Sequence, residues 1–285
     1  GYAKTYASDD TAKLQASIRK SSLPGAVAPI ALGQHSLLFP LPADHRLKAL
    51  WRTSTADGRH RLARRLNLAT SSLIPLDVLA YKPEKRCVLR AHDTKGLSVI
   101  VKFLGAHHWA QAKANARLAH QVIRAPALCG TSRRYGALVY QYLPGQRLRE
   151  QLDASFDADA LRECGVALGE LHRRELDGLP RLSRLHELDA LDSTARLLSA
   201  LLQSESQEDA KRVLAIHAHL REWLQQQPVH PVLCHGDFYD KQIILAASGV
   251  SLIDFDDACV GDARLDIANF VAHRLRHGDA DGERI

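Results

Sequence analysis

Cys234-His235-Gly236-Asp237-Phe238-Tyr239-Asp240-Lys241-Gln242-Ile243-Ile244-Leu245, followed shortly by Leu252-Ile253-Asp254-Phe255-Asp256-Asp257, decides how this chain is read. Gln242 to Ala247 has isoleucines and a leucine at its centre and predicts a strand. Ser248-Gly249 is a two-residue turn signal, and Val250 to Ile253 predicts the returning strand. With that turn Ala247 faces Val250. Asp237 then enters the hairpin and Asp254 leaves it at the same end. Two carboxylates held side by side on rigid elements suit a divalent cation and a base that orients a nucleophile. A surface hairpin with ordinary solvated acids is the plainer reading. The acids stand at strand ends and outside any charge run, which weighs against it.

Size and composition narrow the classes. The 285 residues suggest two domains. A hydrophobic share of 46% and a charged share of 25% are those of a globular protein. No apolar run approaches the ~20 residues that cross a bilayer, so no membrane partner is expected. The opening residues show no charged-then-apolar signal sequence. The five cysteines are scattered and include no Cys-x-x-Cys pair, which argues against a disulfide framework and against thiolate-held metal. These features together predict a cytoplasmic protein. The net charge of +6 raises nucleic acid as a partner. However, the clusters Arg59, Arg61, Arg64, Arg65 and Arg173-Arg174 lack the interleaved aromatics of a single-strand binding surface. They read instead as solvated helix faces that attract anionic substrates such as nucleotides.

Outside the hairpin the pattern changes along the chain. Residues 1–70 read as polar and irregular at first, then as one helix from Leu47 to Leu66. Three strands follow, at Leu76–Tyr81, Arg86–His92 and Leu97–Phe103, with Lys82-Pro83-Glu84-Lys85 joining the first two. A helix from about His107 to Val122 and a strand from Ala137 to Tyr142 come next. Leu143-Pro144-Gly145 then turns the chain. Beyond it, three-to-four spacing of apolar residues predicts helices over Ala158–Arg174, Leu188–Gln203 and Asp209–Gln226, with a last one over Arg264–Arg276.

The quoted residues resemble the aminoglycoside phosphotransferase and choline kinase group of small-molecule kinases. That group carries a His-Gly-Asp motif, a metal-binding side chain five residues after its Asp, and an Ile-Asp-aromatic motif on the next strand. These fall at His235-Gly236-Asp237, Gln242 and Ile253-Asp254-Phe255. Gly261-Asp262-Ala263-Arg264-Leu265-Asp266 is similar to the segment that opens the group's following helix. The ordered set is specific where a lone His-Gly-Asp is not, and the resemblance spans roughly Leu76 to His277. It implies an α+β, two-lobed, protein-kinase-like fold: an N-terminal lobe over 1–142 carrying an extension and the nucleotide-binding sheet, and a helical C-terminal lobe over 143–285 carrying the hairpin.

The resemblance also implies ATP and Mg2+ as cofactors, a small-molecule hydroxyl as acceptor, and roles for particular residues. Asp237 is the base that accepts or orients the hydroxyl. Asp254 and Gln242 hold the metal, with Asp256 or Asp257 as a further ligand or a solvated acid. His235 and Asp266 brace the loop, with a catalytic base the alternative for His235 and a helix N-terminal acid favoured by the macrodipole the alternative for Asp266. Lys102 meets the ATP phosphates, an exposed strand lysine being its alternative. At the phosphate-covering turn, where this chain departs from the group, Lys82, Lys85 and Arg86 meet the phosphates with side chains instead or form a plain charged tip. Gln141, Tyr142 and Leu143 offer backbone groups to adenine.

Three departures stand out. The group's Asn is replaced by Gln242, whose amide reaches one methylene further. No acid occurs between Asp93 and Glu150, so the usual glutamate partner of Lys102 is missing. The turn at Lys82 to Arg86 holds no glycine, which removes a backbone-amide cradle for phosphate. A nucleotide-binding pseudokinase acting as a regulatory or interaction module is therefore the rival reading, and a protein kinase a second. His273 and His277 stand four apart on a helix and could chelate a metal, but no third ligand accompanies them.

Overall fold

A computed structural model describes the chain except residues 22–27, 45, 67, 69–72, 94, 176 and 277–285. The chain divides into two compact units, Gly1–Gly145 and Gln146–Ile285.

The first unit is β-rich. β1 (Tyr2–Thr5), α1 (Thr11–Ser21), β2 (Ile30–Ala31) and β3 (Ser36–Phe39) form a small subdomain in which β3 pairs with both other strands. Tyr6, Leu14, Leu37 and Phe39 fill its core. This ordered start corrects the expectation of an irregular one. Its strands are too short to show a period in sequence, and they pair across a long gap. The helix expected over Leu47–Leu66 is two: α2 (Lys48–Arg52) and α3 (Ala56–Arg65). The break is local chemistry. Thr53 folds its hydroxyl back onto Ala49 O at 2.8 Å, and Thr55 caps α3 by accepting the Gly58 N–H at 3.1 Å.

A five-stranded antiparallel sheet follows in the order β4-β5-β6-β8-β7. Its strands are β4 (Leu73–Lys82), β5 (Arg86–Asp93), β6 (Ser98–Leu104), β7 (Leu128–Ser132) and β8 (Ala137–Gln141), with α4 (Ala106–Val122) between β6 and β7. Leu47, Leu50, Leu62 and Leu66 from the α2–α3 region pack with Cys87, Val101, Phe103 and Val139 of the sheet. Two strands expected from alternation, β5 and β6, pair in the register Val88↔Lys102.

The second unit is mainly helical. After β9 (Gln146–Arg147) come α5 (Leu148–Ala154), α6 (Ala158–His172), α7 (Arg184–Leu202) and α8 (Gln207–Gln226). Capping marks their starts: Asp157 accepts the Ala160 N–H at 2.9 Å, and Ser206 accepts the Asp209 N–H at 3.2 Å. Then β10 (Pro231–Cys234), β11 (Ile243–Ala246), β12 (Gly249–Leu252), β13 (Cys259–Asp262) and α9 (Arg264–Arg276) close the unit. β11 pairs with β12 and β9, and β10 pairs with β13.

The hairpin forms with a different turn. Ala246 faces Gly249 and Leu245 faces Val250, so Ala247-Ser248 occupies the loop and Gly249 takes the positive φ of 107°. The expected facing of Ala247 and Val250 is thereby corrected. Gln242 is also not the first residue of the strand. It ends a single 3-10 turn, Asp240–Gln242. No described helix is long and apolar enough to cross a membrane, and all five cysteines are free.

Candidate active site

The loop from Cys234 to Gln242 leaves β10 and returns to the hairpin, and its shape is fixed by one buried carboxylate. Asp266, in the first turn of α9, is fully buried. Its Oδ2 accepts the His235 backbone N–H and its Oδ1 accepts that of Gly236, each at 2.9 Å. His172, the last residue of α6, places Nε2 3.0 Å from the same Oδ2. Asn269, one turn along α9, donates to Gly236 O at 3.1 Å. Asp266 thus gathers two successive backbone amides, and α9 holds the loop through two side chains on one face.

His235 locks the loop to the neighbouring strand. Its ring is buried beside Phe255 at 4.5 Å and Phe238 at 5.9 Å. Nε2 lies 2.9 Å from Ile253 O, and Nδ1 accepts the Asp237 N–H at 3.4 Å. A carbonyl can only accept, so Nε2 carries the proton and Nδ1 is left as the acceptor. With both nitrogens engaged, the ring holds backbone in place and has no lone pair to offer a substrate.

Gly236 adopts φ +83°, and a Cβ there would lie 2.1 Å from Asp257 O. Only glycine lets the two loops approach this closely. Asp254 has φ +67° and leads into the short 3-10 turn Phe255–Asp257. A left-handed non-glycine residue at the end of a strand is a costly backbone state that active sites often keep. Ile253 N donates to Gln242 O at 2.9 Å, which sets Gln242 beside Asp254. The Gln242 Nε2 then reaches Asp254 Oδ2 at 3.3 Å. An amide oxygen and a carboxylate are donor types that could hold a hard divalent cation.

Asp237 is half-buried, and its carboxyl is pushed above the ordinary range, first by burial and then by the negative charges of Asp254 and Asp257. His235 and His273 oppose that shift weakly. The Asp254 carboxylate is thus one of the charges that act on Asp237. Behind the loop, Tyr239 stacks on His273 with ring centres 4.1 Å apart. Buried Asp240 pairs with buried Arg274 at 3.0 Å. His277, the other half of the His273 chelate considered from sequence, lies outside the described residues.

One set of possible metal ligands outside the hairpin, His172, Cys234 and Asp266, clusters within 4.8 Å. Asp266 already accepts from two amides there, and Cys234 Sγ donates to Asp262 O at 3.4 Å. The cluster reads as a brace.

The first unit carries the residues expected to meet nucleotide. Lys102 is buried on β6 between Val88 and Leu138 of the adjacent strands. α4 brings no acid to it. The buried polar residue of that helix is Asn115, which accepts from Gln111 Nε2 at 2.6 Å. Lys82 and Arg86 face each other at the base of the β4–β5 turn. The turn is anchored from the N-terminal side. Asp44 accepts the Glu84 N–H at 2.8 Å and the Tyr81 hydroxyl at 2.9 Å, and Glu84 pairs with Lys4 at 2.7 Å. At the far end of β8 the Gln141 N–H donates to Ala127 O, and Tyr142 lies under the Arg90 guanidinium at 4.7 Å. Backbone groups offered there come from Tyr142 and Leu143 before the Gln141 amide.

Sequence reasoning missed His172, Asn269 and the Asp240–Arg274 pair. Their partners lie 94, 33 and 34 residues away, and nothing in their local spacing marks them. It also missed Asp44, which sits in a stretch that reads as irregular.

Comparison with known proteins gives the family and the fold. The sequence profile described as the phosphotransferase enzyme family matches residues 78–284. No curated protein matches the chain in sequence. Among solved structures, the gentamicin complex of APH(2")-IIa is 17% identical, covers 80% of this chain and 83% of its own, and has a TM-score of 0.56. Macrolide 2'-phosphotransferase MphH from Brachybacterium faecium is 18% identical over 77% of each chain, with a TM-score of 0.51. Amicoumacin kinase hAmiN, in complex with AMP-PNP, Ca2+ and Ami, is 17% identical, covers 72% of this chain and 67% of its own, and scores 0.50. At these identities the likeness is one of fold, the α+β kinase-like fold of two lobes. The profile covers well over half of the sequence, and it includes every element of the Asp237 loop, so the chain belongs to the phosphotransferase enzyme family.

Proposed function

We propose that the protein is an ATP- and Mg2+-dependent phosphotransferase that moves the γ-phosphoryl group onto a hydroxyl of a small molecule. The observation that carries this reading is the state of Asp237: a half-buried carboxyl raised by Asp254 and Asp257, on a loop fixed by Asp266. Burial and the neighbouring Asp254 and Asp257 carboxylates raise its pKa, the direction that makes a carboxylate a stronger base. Asp237 accepts a hydrogen bond from the acceptor hydroxyl and aims its oxygen. As the new O–P bond forms and the bond to the leaving ADP breaks, the hydroxyl proton passes to the Asp237 carboxylate. Asp254 and Gln242 are the side chains to hold magnesium, which when bound would neutralise charge on the phosphates. Lys102, Lys82 and Arg86 supply positive charge to the nucleotide, and Tyr142 and Leu143 supply backbone groups to its base.

The acceptor class follows the family, whose solved members here handle gentamicin, macrolides and amicoumacin. Two acids that could have drawn a cationic acceptor are already engaged. Glu187 pairs with Arg184, and Asp192 pairs with His217 and Arg221. The test is ATP-dependent phosphorylation across a panel of aminoglycosides, macrolides and hydroxylated metabolites. Turnover should appear with the parent and vanish with Asp237→Ala while the thermal transition is kept. Undiminished turnover in that variant would refute the assignment.

One observation favours a second reading. α4 brings no carboxylate to Lys102, and Gln242 stands where the family has a shorter amide. A pseudokinase would bind ATP yet turn over nothing on a broad panel. ATP affinity with and without Mg2+, measured beside the panel, separates the two readings.

A further inference from the structure

The first unit contains a cavity of about 900 Å³ that the reaction described above does not use. It lies between α2, α3 and the turn joining β7 to β8. That turn is at the opposite end of β8 from Gln141, roughly 15 Å away along the five-residue strand. Five arginines line it: Arg52, Arg61, Arg64, Arg65 and Arg134. Arg61, Arg64 and Arg65 are brought to one side of α3 by their spacing. The opposite side, with Leu62 and Leu66, is buried against the sheet. The aromatic rings of Trp51 and Tyr135 complete the lining.

Charge makes the cavity informative. The one carboxylate among its described lining residues, Asp57, already pairs with Arg61 at 2.6 Å. Among the described residues, Arg52, Arg64, Arg65 and Arg134 have no carboxylate partner. Guanidinium groups do not give up their proton at any pH the protein meets. Like charges crowded around a concavity repel each other, and the site gains most when a multivalent anion enters. Arginine is also the side chain whose planar fork matches phosphate in two-point contacts. The volume is that of a site for a nucleotide-sized molecule. A flat solvated helix face has the arginines but lacks both the enclosure and the aromatic walls.

We propose that this cavity is a binding site for a small oligophosphate, two or more linked phosphates held by Arg52, Arg64, Arg65 and Arg134. It is separate from the Lys102 site. The phosphates can come from an inorganic polyphosphate or from a nucleoside polyphosphate whose base lies on Trp51.

Inorganic tripolyphosphate titrated into the full chain by calorimetry is the test. Saturable, micromolar binding is expected. It should weaken at least tenfold in the Arg64→Ala/Arg65→Ala/Arg134→Ala variant and persist in Lys102→Ala and in Arg173→Ala/Arg174→Ala. Tripolyphosphate should also raise Tm, because it binds only the folded state. The replaced side chains are exposed, so the triple variant should melt no lower than the parent. If it does melt lower, Arg64→Ala and Arg134→Ala are tested singly, each with a weaker but still selective loss. ATP binding here more tightly than tripolyphosphate, with Trp51→Ala abolishing only the difference, assigns the nucleotide source. Equal affinity assigns the phosphate chain alone. Loss of binding in Lys102→Ala with none in the triple variant overturns the proposal while leaving the phosphotransferase reading intact. So does binding that is unsaturable, or that is seen only with RNA and grows with its length.

Discussion

Gln242 and Asp254 touch: the side-chain amide of one donates to the carboxylate of the other across 3.3 Å. The contact follows from the hairpin register, since Ile253 N bonds to Gln242 O and carries Asp254 alongside. Because the amide has an oxygen as well as a nitrogen, the same side chain can hold Asp254 in one orientation and face a cation in the other. Gln242→Leu keeps the bulk and loses both capacities. Phosphorylation should fall by about 10–100-fold, the scale seen when metal-site partners are removed, and the Mg2+ concentration for half-maximal rate should rise. Gln242→Asn, the family's usual residue, should retain most of the rate. A divalent-cation titration of the three proteins checks this. An unchanged Mg2+ dependence in Gln242→Leu would remove Gln242 from the metal site.

The raised Asp237 carboxyl predicts a pH profile. A base must be ionised, so kcat/KM should fall on the acid side through a pKa above the ordinary carboxylate value of about 4. Asp257 is one cause of the rise, so Asp257→Asn should move that acid limb to lower pH. Stability carries the opposite sign. A carboxyl with a higher pKa folded than unfolded takes up its proton more readily when folded. Stability therefore drops as pH rises through that window and stays lowered above it. Asp237→Asn should accordingly melt slightly higher than the parent at neutral pH, and at the same temperature well below pH 4, while being inactive. Calorimetric melts at the two pH values check the sign.

Asp266 shapes the loop more than its distance in sequence suggests. Asp266→Ala leaves two buried backbone amides without an acceptor, at a cost of about 3 kcal/mol or more. Activity should fall with stability, because Gly236 and Asp237 lose their placement. His172→Ala removes one contact to a carboxylate that keeps both amides, and should cost about 1 kcal/mol. Urea melts of both variants measure the ratio. Equal losses would show that the imidazole and not the amides is the larger support.

The hairpin, the buried lysine strand and the long helices were legible because each depends on neighbours in sequence. Alternation marks β5 and β6, three-to-four spacing marks α6 to α9, and the two acids flank isoleucine-rich strands. The turn was misplaced by one residue because Ser248-Gly249 is a good turn pair, yet Gly249 serves as the first strand residue with positive φ. What stayed hidden was long-range. Nothing near His172 points to Asp266, and nothing near Asp44 points to a strand turn 40 residues on. The arginines of α3 were visible as a cluster, but the cavity they line needs Arg134 from another element.

Asp44 offers the last prediction. One carboxylate serves four donors: the backbone N–H groups of Arg46 and Leu47 on Oδ1, and the Tyr81 hydroxyl and Glu84 N–H on Oδ2. It therefore ties the start of α2 to the glycine-free turn flanked by Lys82 and Arg86. Families that cover phosphates with a glycine-rich turn gain close backbone approach. Here the turn is instead held from outside the sheet, with Glu84 at φ +60° fixed by Asp44 and Lys4. Asp44→Ala should cost about 2–4 kcal/mol. If Lys82 and Arg86 meet the nucleotide, it should raise the KM for ATP more than it lowers kcat and leave the acceptor KM unchanged. Steady-state kinetics below the variant's melting range separates the two effects. An ATP KM that stays constant while stability falls would make Asp44 a purely structural anchor and detach the turn from nucleotide binding.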